Sequence, residues 1–246
     1  MSHFIFGLHA VEAALEKSPE TVQELWVAAK RHDKRMARIF ELAERAGIKV
    51  HTVEKRELDE RVPDGRHQGV VASTAAPRVY SESELTRLLD DLSEPPFLLI
   101  LDGVTDPHNL GACLRSADAA GVQAAITTKD RAASLTPTAI KVASGAAQTV
   151  PFVQVTNLAR CLRDLKQRGI WLVGLDGQAD QTLYQTDLKG PLAIVMGAEG
   201  QGLRRLSREE CDFLASIPMQ GSVESLNVSV ATGICLFEAL RQRQQG

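Results

Sequence analysis

Three stretches of the sequence gather the side chains that could do chemistry. The first is Asp106–Ala117, DPHNLGACLRSA, with Asn109 at the start of a helical pattern and Arg115 six residues on. A helix N-cap accounts for Asn109. Arg115 lies in an otherwise small, apolar helix, where a guanidinium calls for a partner: a carboxylate in a structural salt bridge, or a phosphate. The second is Val195–Leu203, VMGAEGQGL, a glycine-rich turn after an apolar strand. Its glycines allow a ligand close to the backbone. Their spacing is the reverse of GxGxxG, and plain loop geometry explains them equally well. The third is Ile217–Ala231, IPMQGSVESLNVSVA, where Pro218 stops a strand and Leu226 opens an apolar helix running to Arg243. Ser222, Ser225, Asn227 and Ser229 are more polar groups than capping requires. Ser225 as a nucleophile lacks a GxSxG elbow and a nearby histidine. His67 and His108 fall in loops, without HxxxH or HExxH spacing, so no metal is expected.

The elements around these stretches follow from hydrophobic periodicity. Residues 97–102, FLLILD, are a nearly continuous apolar run, as in a buried parallel strand. Further strands are expected at 122–127, 150–155, 170–175, 192–196 and 213–217. Helices are expected at 110–120, 138–147, 158–168 and 226–243. This alternation predicts a mostly parallel sheet with helices on both faces. A strand that ends in a polar loop at a helix N-terminus is where such sheets place ligands. Residues 1–76 read as a smaller α/β domain, with helices at 9–17 and 34–46 and strands at 24–29, 48–53 and 69–74. Between the two, 77–96 holds Glu82, Glu84, Asp90, Asp91 and Glu94 and ends in Pro95-Pro96. It reads as a partly ordered acidic hinge crossed by a leucine helix.

Composition bounds the function. The chain has 246 residues, 44% hydrophobic and 24% charged, as in an ordinary globular protein. Aromatics are 4%, which argues against an aromatic base-stacking platform. The net charge is −3, with 12 basic and 12 acidic residues in 1–76 and 14 of each from Phe97 onward. Nucleic acid must therefore be held by local patches. The densest is Lys30, Arg31, His32, Lys34, Arg35 and Arg38, either a solvated helix face or a phosphate-contacting surface. Cys113, Cys161, Cys211 and Cys235 form no CxxC pair and read as free thiols in a reducing compartment. The N-terminus is too short and polar for a signal peptide, and no run approaches a membrane span. The expected location is the cytoplasm.

The ordered set N109-x5-R115, MGAEGQG and IPMQGSVESLNVSVA resembles motifs 1, 2 and 3 of the SpoU/TrmH family, the SPOUT-class RNA 2′-O-ribose methyltransferases. The likeness runs about 150 residues from Phe97. FGLHAVEAAL and HQGVVA (67–72) resemble the family's small ribosomal-protein-like (L30e-like) RNA-binding domain. The resemblance implies domains at 1–76 and 97–246 joined by the 77–96 linker, the second an α/β fold with a C-terminal trefoil knot. It implies S-adenosylmethionine held at Met196, Gly197, Gly200, Ile217, Met219, Leu226 and Asn227. It implies catalytic roles for Arg115, Asn109, Glu199, Ser225 and Asn227, and RNA contacts from Lys30, Arg31, Lys34, Arg35 and Arg38. The implied substrate is a guanosine ribose in the P-loop of 23S rRNA, free or in a ribosomal assembly intermediate. The alternative is tRNA or another rRNA nucleotide. A homodimer through the catalytic domain is implied, its C-terminal helix in the interface. Two rivals stand beside it: a non-catalytic RNA-binding scaffold, and a dinucleotide-binding oxidoreductase disfavoured by the glycine spacing.

Overall fold

The computed structural model describes residues 3–29, 33–63 and 65–245, with all side chains except those of His3 and Lys17. The chain divides into two compact units, Met1–Arg78 with Ser144–Thr149, and Val79–Ala143 with Val150–Gly246.

The first unit holds β1 (His3–Phe6), α1 (Leu8–Lys17), β2 (Val22–Ala28), α2 (Lys34–Arg45), β3 (Lys49–Val53), α3 (Lys55–Arg61) and β4 (Val70–Thr74). The sheet order is β1-β4-β2-β3, antiparallel except for the parallel β2–β3 pair. Helix α2 starts at Asp33, whose carboxylate accepts from the amides of Arg35 and Met36. It buries Met36, Ile39, Leu42 and Ala43, the stripe that 3.6-residue periodicity predicts. Helix α3 went unread in the sequence because Leu58 is its one buried residue.

The second unit begins with β5 (Val79–Tyr80), α4 (Glu82–Asp90), β6 (Phe97–Asp102), α5 (Pro107–Ala120), β7 (Ala124–Thr128) and α6 (Pro137–Ala143). Helix α7 (Ala146–Thr149) belongs to the first unit. The second resumes with β8 (Phe152–Val155), α8 (Leu158–Gln167), β9 (Trp171–Leu175), β10 (Leu192–Gly197), α9 (Arg205–Glu210), β11 (Phe213–Ala215) and α10 (Val228–Gln244). Its seven strands are all parallel, in the order β11-β9-β10-β6-β7-β8-β5. Every residue of β6 is buried, which accounts for its unbroken apolar sequence. The order reverses between β6 and β10: β7 and β8 build outward on one side, β9 and β11 on the other. Such a switch point opens a crevice beyond the carboxyl ends of the strands.

Two expectations change. The single helix over 138–147 is two, broken where Ser144 (φ 53°) and Gly145 (φ 98°) take left-handed backbone. In the stretch read as a hinge, α4 buries Leu85 and Leu89 in the core of the second unit. Its carboxylates are paired, Glu82 with Arg160 and Asp90 with Arg168. Those arginines lie 78 residues further on, so no local pattern could show the pairing.

Helix α10 carries its own pH-sensitive lock. Hydrogen bonds from Arg241, at 2.8 Å to each carboxylate oxygen, and then from Gln242 hold the Glu238 carboxyl at about 2, down from 4.5. A depressed folded-state value stabilises above the unfolded one and is lost as pH falls from 4.5 through about 2. Melting curves of the wild type and Glu238→Gln should therefore differ most near neutrality and converge in that acid window. A gap that stays constant with pH would contradict the lock.

Candidate functional site

The loops that follow β6, β10 and β11 supply the three motif stretches, and they meet at the switch point. Helix α5 is capped by Asp106, which accepts from the His108 amide at 3.0 Å, with Pro107 in its first turn. Asn109 is thus not the cap but lies inside the first turn, and its amide is available elsewhere. Its Nδ2 faces Glu199 Oε2 at 3.5 Å, at the outer limit of a hydrogen bond. Its Oδ1 accepts from Asn227 Nδ2 at 2.9 Å. Asn227 is the cap of α10, with Oδ1 accepting from the Ser229 amide at 2.9 Å and from Ser229 Oγ at 2.6 Å. Helix α10 begins at Val228, two residues later than Leu226, because Asn227 spends its side chain on that turn. Asn109, Glu199 and Asn227, 118 residues apart at the extremes, thereby form one polar cluster.

Beside this cluster opens a cavity of about 830 Å³. Met196, Gly197, Glu199 and Gly200 line it from the β10 loop, and Ile217, Met219, Ser225 and Leu226 from the loop after β11. Asn227 and Asn109 belong to the cluster but not to the cavity wall, and Arg115 is not part of the wall either. The walls mix apolar side chains with glycine backbone, as in sites for flat organic ligands. Gly197 sets the shape. The turn folds back on itself, with Ala198 and Gly202 exchanging both backbone hydrogen bonds, 3.1 and 2.9 Å. A Cβ on Gly197 would stand 2.0 Å from the carbonyl carbon of Gly202.

The sequence reading missed one wall. Leu175, Asp176, Gly177 and Gln178, at the end of β9, also line the cavity. Asp176 is held by Arg208 at 3.0 Å and accepts from the Gln178 amide at 2.9 Å. The available signal was positional: β9 ends beside β10, and carboxyl ends of neighbouring strands share a crevice.

Arg115 resolves differently from the salt-bridge reading. It is exposed and has no hydrogen bond or ion pair with any described residue. Ser225 is also exposed and hydrogen-bonds to none of them, so nothing activates it as a nucleophile. Of the basic cluster, Lys30 and Arg31 lie outside the described residues. Lys34 is exposed. Arg35 lies 3.0 Å from His9 Nε2, and Arg38 pairs with Glu41 at 3.0 Å and Glu16 at 3.2 Å, which together raise its pKa. Among the described residues no group of three or more His, Cys, Asp or Glu is placed to hold a metal. No described helix is long and apolar enough to cross a membrane.

Residues 96–237 match the SpoU rRNA Methylase family, and residues 4–80 match the RNA 2′-O ribose methyltransferase substrate-binding family. The chain belongs to the SpoU rRNA methylase family. It is 59% identical to the 23S rRNA (guanosine-2′-O-)-methyltransferase RlmB of Shewanella oneidensis, over 98% of this chain and 97% of that one. It is 60% identical to RlmB of Pseudomonas aeruginosa, over 97% and 96%. Its backbone superposes on the SpoU methyltransferase AviRb of Streptomyces viridochromogenes, solved in complex with AdoMet, with a TM-score of 0.72. That match covers 100% of this chain and 92% of AviRb at 26% identity. The SpoU assignment agrees with the α/β architecture of the second unit and with the separate N-terminal unit.

The Gly197 turn gives a direct test. Gly197→Ala should leave the protein folded, because the clash falls in a surface loop, but displace the loop that walls the cavity. Titration calorimetry with S-adenosylmethionine should show affinity weakened by at least about tenfold, a loss of roughly 1.4 kcal/mol. Unchanged affinity would mean that the turn does not shape a cofactor site.

Proposed function

We propose that this protein transfers a methyl group from S-adenosylmethionine to the ribose 2′-oxygen of a guanosine in 23S rRNA. The observation that carries the reading is the meeting of Asn109, Glu199 and Asn227 beside the cavity, in a chain about 60% identical along its length to enzymes of that activity.

The cavity suits the cofactor. Met196, Ile217, Met219 and Leu226 offer apolar walls to an adenosyl group, and the backbone at Gly197 and Gly200 lets it approach closely. When bound, S-adenosylmethionine supplies a methyl group already activated by its sulfonium sulfur. The protein's task is then to align the 2′-oxygen and ease the loss of its proton. Arg115 holds the hydroxyl and the adjacent phosphate and stabilises the developing negative charge on oxygen. A guanidinium keeps its own proton in proteins, so Arg115 positions rather than accepts. Asn109 and Glu199 orient the nucleoside, with Asn109 held by Asn227, and Ser225 shapes the pocket mouth. The N-terminal unit recognises the RNA, and the reaction takes place in the cytoplasm.

A homodimer completes the proposal. Helix α10 buries Cys235, Leu236 and Ala239, yet leaves Val230 52% and Phe237 48% exposed. These two are seven residues apart and lie on one stripe. A second copy of the chain covers that stripe. Phe237→Asp should convert a dimer to a monomer in sedimentation velocity; a wild type that sediments as a monomer would overturn the dimer.

Methylation mapping of 23S rRNA from cells with and without the protein tests the reaction itself. Loss of a guanosine 2′-O-methyl mark is expected, whereas a mark lost from tRNA alone would move the target. Arg115 has its own test. Because Arg115 is exposed and has no partner among the described residues, Arg115→Ala should shift stability by no more than about 0.5 kcal/mol. Single-turnover methyl transfer should fall by about 10²–10³ with cofactor affinity retained. Arg115→Lys keeps the charge but not the planar fork, and should not restore turnover. Near wild-type turnover in Arg115→Ala would remove Arg115 from the chemistry.

A further inference from the structure

The N-terminal unit has its own recess, of about 530 Å³, away from the α2 cluster that the sequence singles out. Its walls are Lys55, Asp59, Arg66, His67 and Gln68, with Ala28 and two glycines completing it. We propose that this recess is a nucleotide subsite that takes one unstacked nucleotide of the RNA substrate. The proposal rests on the RNA methyltransferase reading above and locates where the substrate domain grips.

Charge accounting in this unit favours the recess. Lys55 and Arg66 are exposed, and neither makes a hydrogen bond or ion pair with a described residue. Most nearby arginines are already engaged. Arg38 is shared between Glu16 and Glu41, Arg56 bonds Glu60 at 3.0 Å, and Arg61 faces Glu57 at 3.6 Å and stacks over Trp26. A phosphate gains most from cations that need not first give up a carboxylate.

The floor is rigid and polar. His67 is 5% exposed. Its Nδ1 accepts from the Gly69 amide at 3.0 Å, and its Nε2 donates to Asp59 Oδ1 at 2.9 Å. Both bonds at once require the tautomer with its proton on Nε2. Gln68 follows in left-handed backbone, φ 51°, and its Oε1 accepts from the Leu8 amide at 3.2 Å. The HQG turn is therefore held at both ends, which is the preorganisation that recognition needs. Asp59 keeps a second carboxylate oxygen for donors. It would repel a bare anion but accept from the amino or imino edge of a base. Proteins read RNA sequence mostly on splayed-out single-stranded bases, by such edge contacts and by stacking on flat groups such as guanidinium. In this arrangement Lys55 meets the phosphate, Arg66 stacks on the base and Asp59 reads its edge. The volume falls within the range of about 300–1,000 Å³ typical of ligand sites.

The test uses the full-length protein and 23S rRNA purified from cells lacking the methyl mark. Three variants are compared with wild type: Lys55→Ser with Arg66→Ser, Ala28→Leu to fill the recess, and Arg56→Ser as a control outside it. The first two should raise Kd and KM for the RNA by about tenfold or more, the size expected for lost base and phosphate contacts. Melting temperature, cofactor affinity and kcat at saturating RNA should stay at wild-type values. Arg56→Ser should change Kd by less than about threefold, since its charge is already committed to Glu60. Ultraviolet cross-linking with peptide mapping should place a nucleotide on the segment holding Arg66 and His67. Wild-type Kd and KM in the Lys55/Arg66 variant, or N-terminal cross-links confined to α2, would overturn the subsite and leave the enzymatic reading intact. Failure of the wild type to bind or methylate 23S rRNA would overturn both.

Discussion

The buried carboxylate of Asp102 is the constraint on which the loop-bearing end of the large sheet depends. It ends β6 with no solvent exposure. An ion in that position costs several kcal/mol unless it is compensated. Compensation comes from one distant residue. Oδ2 accepts from the Arg204 amide at 2.9 Å, and the Arg204 guanidinium lies 3.4 Å from Oδ1, which makes no hydrogen bond of its own. The same guanidinium reaches the Arg131 carbonyl at 3.4 Å. One carboxylate thus ties together the loops after β6, β7 and β10. Gly103 is part of the device: its φ is 80°, and a Cβ there would come 3.0 Å from the guanidinium. Asn109 lies in the first turn of α5, shortly after Asp102, and Glu199 sits just before Arg204. The short path between Asn109 and Glu199 is therefore inherited from a clamp that touches neither.

The sequence carried the strands of the large sheet because burial on both faces leaves a signal that needs no context. Apolar runs such as FLLILD and LAIVM are β6 and β10 almost to the residue. Elements whose stability comes from distant partners left no such signal. Helix α3, KRELDER, reads as solvated charge because only Leu58 faces inward. Helix α4 reads as an acidic hinge because its arginine partners lie on α8 and at that helix's C-cap. The break at Ser144-Gly145 interrupts a pattern that is otherwise helical on both sides.

The site was legible by a different route. The motif stretches were visible as polar groups in excess of what caps and turns require, and the structure accounts for Asn227 and Ser229 among them. Asn227 performs its capping role and uses its other amide atom to hold Asn109. One side chain can both cap α10 and reach Asn109, because a side-chain amide has two ends. The β9 wall was not legible, since Leu175, Asp176, Gly177 and Gln178 form no motif and matter only by adjacency.

Arg115 shows why charge has to be read from partners rather than from counts. The two sequence halves each balance, 12 against 12 and 14 against 14, and a net −3 gives no long-range attraction for RNA. Much of the arginine is consumed internally: Arg38, Arg56, Arg160, Arg168, Arg205 and Arg241 all face carboxylates. Such pairs present little field to a polyanion, because each guanidinium already has its counter-charge. Arg115 is among the cations with no counter-charge among the described residues. An exposed guanidinium with no partner among the described residues, on a helix of small residues, contributes little to folding. Its planar, five-donor fork has the geometry for a bidentate acceptor such as a carboxylate or a phosphate.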